Sequence, residues 1–121
     1  MNPVILHLLL LAIGAVESGN NPKAVNPVCG GTGILQITEI MVDDCNRIVG
    51  DLKWSYQDRF DVVQSFAMAR VYFDHYCEGF TAEQMARCWN GGPKGHLKEC
   101  TEGYWRRVSA IYIASLEQRL L

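Results

Sequence analysis

A run of thirteen residues, Val4-Ile-Leu-His-Leu-Leu-Leu-Leu-Ala-Ile-Gly-Ala-Val16, carries no Asp, Glu, Lys or Arg and leads directly into Glu17. It falls short of the ~20 apolar residues that a helix needs to cross a bilayer. It resembles the apolar core of a signal peptide, but no basic stretch precedes it and no spare residues separate it from Glu17-Ser18-Gly19. The remaining reading is a buried helix. Pro3 suits its first turn, and Gly19-Asn-Asn-Pro22 stops it just after Glu17. No export signal is therefore expected.

The rest of the composition narrows the class. A chain of 121 residues supports one core, so residues 1–121 are expected to form a single domain. Apolar residues make up 49%, which excludes intrinsic disorder. Eleven Lys and Arg against thirteen Asp and Glu give a net charge of −2, which argues against nucleic acid as a partner and against a polybasic membrane anchor. Five cysteines leave at least one thiol unpaired in a monomer. There is no C-x-x-C, and His7, His75 and His96 complete no zinc spacing, so no metal and no cofactor is expected. Buried or idle thiols are the favoured reading, with a metal-dependent regulator as the alternative.

The pattern predicts a mostly α fold of about five helices around a central buried helix, with at most a small β element between Asn26 and Ile37. After the first helix and a Gly/Pro/Asn-rich loop to Gly33, Thr38 is read as the cap of a second helix ending at Gly50. Asp58 is read as the cap of a long third helix to Cys77, with Phe60, Val63, Ala67 and Val71 as its apolar stripe, widened by Phe66, Phe73 and Tyr76. Thr81-Ala-Glu-Gln84 reads as a capping box for a fourth helix through Asn90. Thr101 is read as the cap of the last, whose Tyr104, Val108, Ile111 and Ser115 share a face.

Glu17 is the residue that carries chemistry. It closes an apolar helix at the negative end of the helix dipole, and both features raise a carboxyl pKa toward that of a general acid. A solvated helix end is the plainer alternative, and the flanking residues decide between them. Glu17-Ser-Gly-Asn-Asn-Pro22, followed by Gly33-Ile-Leu-Gln-Ile-Thr38, resembles the E-S-G and G-L-M-Q-I-like signature of lytic transglycosylases and goose-type lysozymes. Met85-Ala-Arg-Cys-Trp-Asn-Gly-Gly-Pro-Lys-Gly95 resembles the A-x-Y-N-x-G stretch of transglycosylases and, more closely, the A-R-x-x-N-G-G-P-x-G of invertebrate-type lysozymes. Thr101-Glu-Gly-Tyr-Trp-Arg-Arg-Val108 resembles the T-x-x-Y-x-x-x-V that closes these domains.

The resemblance implies a lysozyme-like domain that cuts the β-1,4 bond between N-acetylmuramic acid and N-acetylglucosamine in peptidoglycan. It implies Glu17 as the acid and base, with Ser18 ordering the site beside it. Gln36 would bond substrate or the acid's surroundings, Asn90 would sit next to the scissile bond, and Tyr104 would approach the catalytic Glu. Ile34 and Leu35 would form the apolar wall that keeps Glu17 protonated. Each has a plainer alternative: a turn amide for Gln36, a turn residue for Asn90, a core aromatic for Tyr104. Trp54, Tyr56, Trp89 and Trp105 are candidates to stack on sugars, with packing as the default for any one and at most two expected against glycan. Trp89, beside Asn90, is the one assigned to the substrate.

Most glycosidases use two carboxylates. Relatives place the second acid before the Gln or directly after the Q-I pair, where this chain has Asn26 or Pro27 and Thr38. Two routes follow. With one carboxylate, the substrate's acetamido group assists departure and Glu17 then activates the muramyl 6-hydroxyl, giving a 1,6-anhydro product; this lytic transglycosylase route is the expectation. The alternative is lysozyme-type hydrolysis with a second acid from Glu39, Asp43 or Asp44, which otherwise read as charge complementing a helix N-terminus. A third reading, of another class, is a non-catalytic glycan-binding module of a phage or secretion assembly. The expected partner is the peptidoglycan glycan strand and the expected state is a monomer. The protein is expected to be made in the cytoplasm and to reach the wall after release, as a phage enzyme would.

Overall fold

In the computed structural model, which describes residues 1–121, the chain forms five α-helices. They are α1 (Pro3–Ser18), α2 (Glu39–Val49), α3 (Val62–Tyr76), α4 (Ala82–Gly91) and α5 (Glu102–Arg119). Short 3-10 turns lie at Tyr56–Phe60, Gly95–Leu97 and Glu99–Thr101. There is no sheet: the β element is reduced to isolated bridges between Val25 and Thr32 and between Thr32 and Ile37. No helix is long and apolar enough to cross a membrane.

The apolar run is α1. Asn2 caps it by accepting from the Val4 N–H at 2.8 Å, and Pro3 takes the first helical position, where a missing N–H costs nothing. Gly19, at φ 65°, ends it in the left-handed conformation, with its N–H and that of Asn20 bonded to the Ala15 and Gly14 carbonyls. Leu9, Leu10, Ala12 and Ile13 are completely buried, and α1 packs along α5. The helix is not covered on every side, since Val4 and Leu11 face solvent.

Four local expectations need correction. The long third helix does not begin at Asp58. That residue instead closes a capping box with Ser55 on the 3-10 turn, and Asp61 caps α3 by accepting from the Gln64 N–H at 3.0 Å. Of the expected stripe, Phe66 and Phe73 are buried, Ala67, Val71 and Tyr76 are half-buried, and Phe60 and Val63 are exposed; Ser65, Met68, Ala69 and Tyr72 complete the buried face. This face also follows the 3–4 spacing, which is why periodicity alone did not choose between the two. α3 is the central element: Phe66 meets His7 of α1 at 5.4 Å, Tyr72 and Phe73 meet Trp89 of α4, and α2 packs alongside.

Thr101 stands at the N-cap position of α5, but its side chain makes no capping bond to the helix. Its fully buried hydroxyl lies 2.7 Å from the Gly95 carbonyl and accepts from Arg87 Nε at 2.8 Å, so it ties the α4–α5 connection together. On α5 the buried face is Tyr104, Val108 and Tyr112, while Ile111 is exposed. The caps read at Thr38, Gly50 and Thr81 are in place.

The segment between α1 and α2 folds over the end of α1. Gly33 has φ 82°, and a Cβ there would overlap the Arg59 carbonyl oxygen, so the loop can lie this close only with glycine. Gln36 also adopts a left-handed conformation, φ 56°, despite its side chain. Such strain persists where the surroundings impose it, often at functional sites.

Candidate active site

Glu17 lies in the last turn of α1, which has no basic residue to offset the helix dipole. Burial raises its pKa above the ordinary carboxylate value, against the opposing pull of a Tyr104 hydrogen bond and the Arg107 charge. Tyr104 Oη donates to Glu17 Oε2 at 3.0 Å. Tyr104 is itself buried, and burial together with the adjacent carboxylate pushes its own pKa up, so it remains a donor. One carboxyl oxygen is thus held, and Oε1 makes no hydrogen bond within the protein.

Beside this carboxyl is a cavity of about 380 Å³. It brings Glu17, Gln36, Trp89 and Asn90 together with Asn26, Thr38, Met41 and Tyr72. Gln36 Nε2 donates to the Gly33 carbonyl at 3.0 Å and the Ala24 carbonyl at 3.3 Å, so the amide is fixed with its oxygen free of protein donors. Asn90, exposed at the end of α4, makes no side-chain hydrogen bond and has its whole amide available. Trp89 is buried; its indole N–H donates to the Leu35 carbonyl at 3.3 Å, and only its surface contributes to the wall.

Other residues anticipated for the site stand elsewhere. Ser18 does not reach the cavity; its Oγ lies 2.8 Å from the Ile34 carbonyl and accepts from the Asn21 N–H, pinning the loop to the end of α1. Tyr104 reaches the carboxylate but not the cavity wall. Ile34 and Leu35 are core residues behind the site, and the apolar wall is made instead by Met41, Tyr72 and Trp89. Trp54 is interior, with its indole bonded to Gln64 Oε1 at 2.9 Å. Tyr56 is bonded to Asp43, and Trp105 packs toward Tyr112, so neither lines the cavity. Met41, Tyr72 and Arg107 escaped the sequence reading because nothing in their spacing separates them from ordinary helix residues.

The candidate second acids do not line this cavity, but Glu39 lines an adjoining depression that shares Thr38 with it, and Asp43 and Asp44 line another that shares Thr38, Met41 and Tyr72. Glu39 sits 3.8 Å from Arg59, and Asp43 accepts from Tyr56 Oη at 2.9 Å. Asp44 accepts from Tyr76 Oη at 2.7 Å and pairs with Arg47. Burial would raise the Asp44 pKa, but those two partners prevail and lower it. On the wall itself, Asn26 Oδ1 is occupied by the Val28 N–H at 2.9 Å, and Thr38 Oγ1 by the Met41 N–H at 3.3 Å. Glu17 is the single carboxylate of the cavity.

No three His, Cys, Asp or Glu side chains are grouped to hold a metal ion. All five cysteines are free: Cys29 and Cys100 are exposed and Cys45, Cys77 and Cys88 buried. Burial pushes the Cys45 thiol up to about 11 and, with Cys88 beside it, the Cys77 thiol up to about 12.

The family model described as the transglycosylase SLT domain matches residues 2–111. A protein named Lysozyme 1 from Crassostrea virginica is 48% identical over 108 residues, covering 84% of this chain and 56% of its own length. The chain thus spans little more than half of that relative. No solved structure matches the chain significantly. With the family match running from α1 into α5 and enclosing Glu17, Gln36, Asn90 and Tyr104, the chain belongs to the transglycosylase SLT domain family, within the lysozyme-like superfamily.

Proposed function

We propose that this domain cleaves the β-1,4 bond between N-acetylmuramic acid and N-acetylglucosamine in peptidoglycan, by a single-carboxylate lytic transglycosylase mechanism. The observation that carries the reading is that Glu17, held at one oxygen by Tyr104, is the only carboxylate on the cavity wall. Its raised pKa suits a group that must begin the reaction protonated. Glu17 gives its proton from the free oxygen to the departing glycosidic oxygen, while the acetamido oxygen of the muramyl sugar bonds to C1. The carboxylate then takes the proton of the 6-hydroxyl, whose oxygen bonds to C1 and displaces the acetamido group. The proton is returned to Glu17 and no water is consumed.

Asn90 and the Gln36 oxygen hold the sugar so that its own hydroxyl outruns bulk water, a proximity effect that can supply several kcal/mol, up to roughly 7–11. The relative's name favours a second reading, hydrolysis by a muramidase route. Digestion of purified peptidoglycan with mass analysis of the fragments separates the two. The expected fragments end in 1,6-anhydromuramic acid, one water lighter than hydrolysis products. Reducing-end muramic acid as the main product establishes the hydrolytic route instead, and no fragments at all reduces the domain to a glycan-binding module.

A further inference from the structure

A second depression, of about 560 Å³, adjoins the Glu17 cavity and shares Cys29 and Thr38 with it. On its wall stands Arg59, which is 8% exposed and fixed on three sides. Its Nε donates to the Tyr56 carbonyl at 2.8 Å, and Nη1 lies 3.3 Å from the Gly30 carbonyl and 3.2 Å from that of Ile37. Nη2 has no hydrogen-bond partner. The one group near it is Glu39 Oε2, at 3.8 Å, on a side chain that is 61% exposed.

The first turn of α2 borders the same depression. The Met41 N–H is taken by Thr38, but the N–H groups of Glu39 and Ile40, both on the wall, have no partner in the protein. An 11-residue helix turns its positive end there, beside an immobilised guanidinium with one edge that makes no hydrogen bond and is paired only with Glu39. Such an edge pairs with a carboxylate or a phosphate, and of these the substrate proposed above offers the carboxylate. The loosely placed Glu39 satisfies it only at a distance beyond a hydrogen bond.

We propose that this depression is a carboxylate subsite of the cleft, in which Glu39 is a displaceable occupant and the ligand is the acidic substituent on the muramyl sugar. The identification of the sugar rests on the glycan-cleavage reading above. A sugar in the Glu17 cavity can extend its substituent past Thr38 and Cys29 toward Arg59. The carboxylate has two sources, the lactyl group when it bears no peptide and the peptide when it does.

The test is an NMR titration of isotope-labelled protein, following the Glu39 and Ile40 amides and the Arg59 Nε–H. The probes are N-acetylmuramic acid, an N-acetylmuramoyl dipeptide whose acid lies on the peptide, and the neutral N-acetylglucosamine. At least one acid is expected to move these signals while the neutral sugar does not, and which acid does so names the source. Arg59→Lys should weaken acid binding, but it also loosens the loop, so Glu39→Gln is the deciding variant. Removing the exposed carboxylate that lies 3.8 Å from the guanidinium should tighten acid binding, by up to about fivefold. Equal shifts with the neutral sugar, no shift with either acid, or unchanged acid affinity in Glu39→Gln overturns the subsite. A protein that digests peptidoglycan yet fails this titration loses only the subsite. One that passes the titration yet cuts no glycan loses only the cleavage reading.

Discussion

Tyr104 Oη and Glu17 Oε2 meet at 3.0 Å from two helices separated by 87 positions in the chain. The contact places a buried phenol behind a half-buried carboxyl, and the two act on its pKa in opposite directions. Burial favours the protonated acid, while the phenol's hydrogen bond favours the carboxylate that must later act as base.

Glu17→Gln should remove at least nine-tenths of peptidoglycan-degrading activity at equal folded concentration, since an amide keeps the shape but cannot cycle a proton. The same variant has a stability signature. The folded-state pKa of Glu17 is raised above 4.5, so its protonated form contributes stability that is full below 4.5 and lost as pH rises through the folded value. Denaturant midpoints of wild type should therefore fall relative to Glu17→Gln across that rise. Parallel midpoints from pH 4 to 8 would contradict the burial of the carboxyl.

Tyr104→Phe removes the hydrogen bond that lowers the Glu17 pKa and leaves desolvation nearly intact. The alkaline limb of kcat/KM, which reports loss of the acid form, should move to higher pH. The lost charge-assisted bond should cost about 1.5–3 kcal/mol of stability at a pH where Glu17 is ionised, and less where it is protonated. A pH profile unchanged in position would remove Tyr104 from the acid's control.

Asp43→Asn and Asp44→Asn should each retain most of the activity and the same 1,6-anhydro product, because both carboxylates are bonded to tyrosines outside the cavity. Mass analysis of the muropeptides checks this directly. A variant that loses the activity, or changes its product, identifies a second acid.

Deleting residues 1 to 12 should abolish cooperative thermal unfolding. It removes Leu9, Leu10 and Ala12, which are fully buried, and the half-buried Ile5, Leu6 and Leu8. At roughly 1.5–3 kcal/mol for each large aliphatic, the loss matches or exceeds the ~5–15 kcal/mol that holds a domain together. Circular dichroism melting decides it, and a truncation with a sharp transition would show α1 to be dispensable.

Where local chemistry dominates, the sequence was enough. The cap at Thr38 needs only a hydroxyl three residues before an amide, and the stop at Gly19 needs only a left-handed glycine after an apolar run. The helix ends carrying Glu17 and Asn90 were legible for that reason, and the family motifs pointed to the same residues. The α3 start was not, because Asp58 and Asp61 offer the same capping group, and only the packing of Phe66, Tyr72 and Phe73 selects the second.

The sequence by itself determined a mostly α chain, an apolar first helix ending in a carboxyl, and the uncharged residues Asn26, Pro27 and Thr38 around the Gln36 segment. The tertiary structure alone decided what surrounds that carboxyl. Ser18 became a strut, Ile34 and Leu35 went into the core, Met41 and Tyr72 supplied the wall, and Arg59 came to stand beside Glu39 on the wall of the adjoining depression. Caps and stops depend on a few adjacent residues, whereas a cavity wall depends on which face each distant helix buries. That is settled only when all the helices compete for one core.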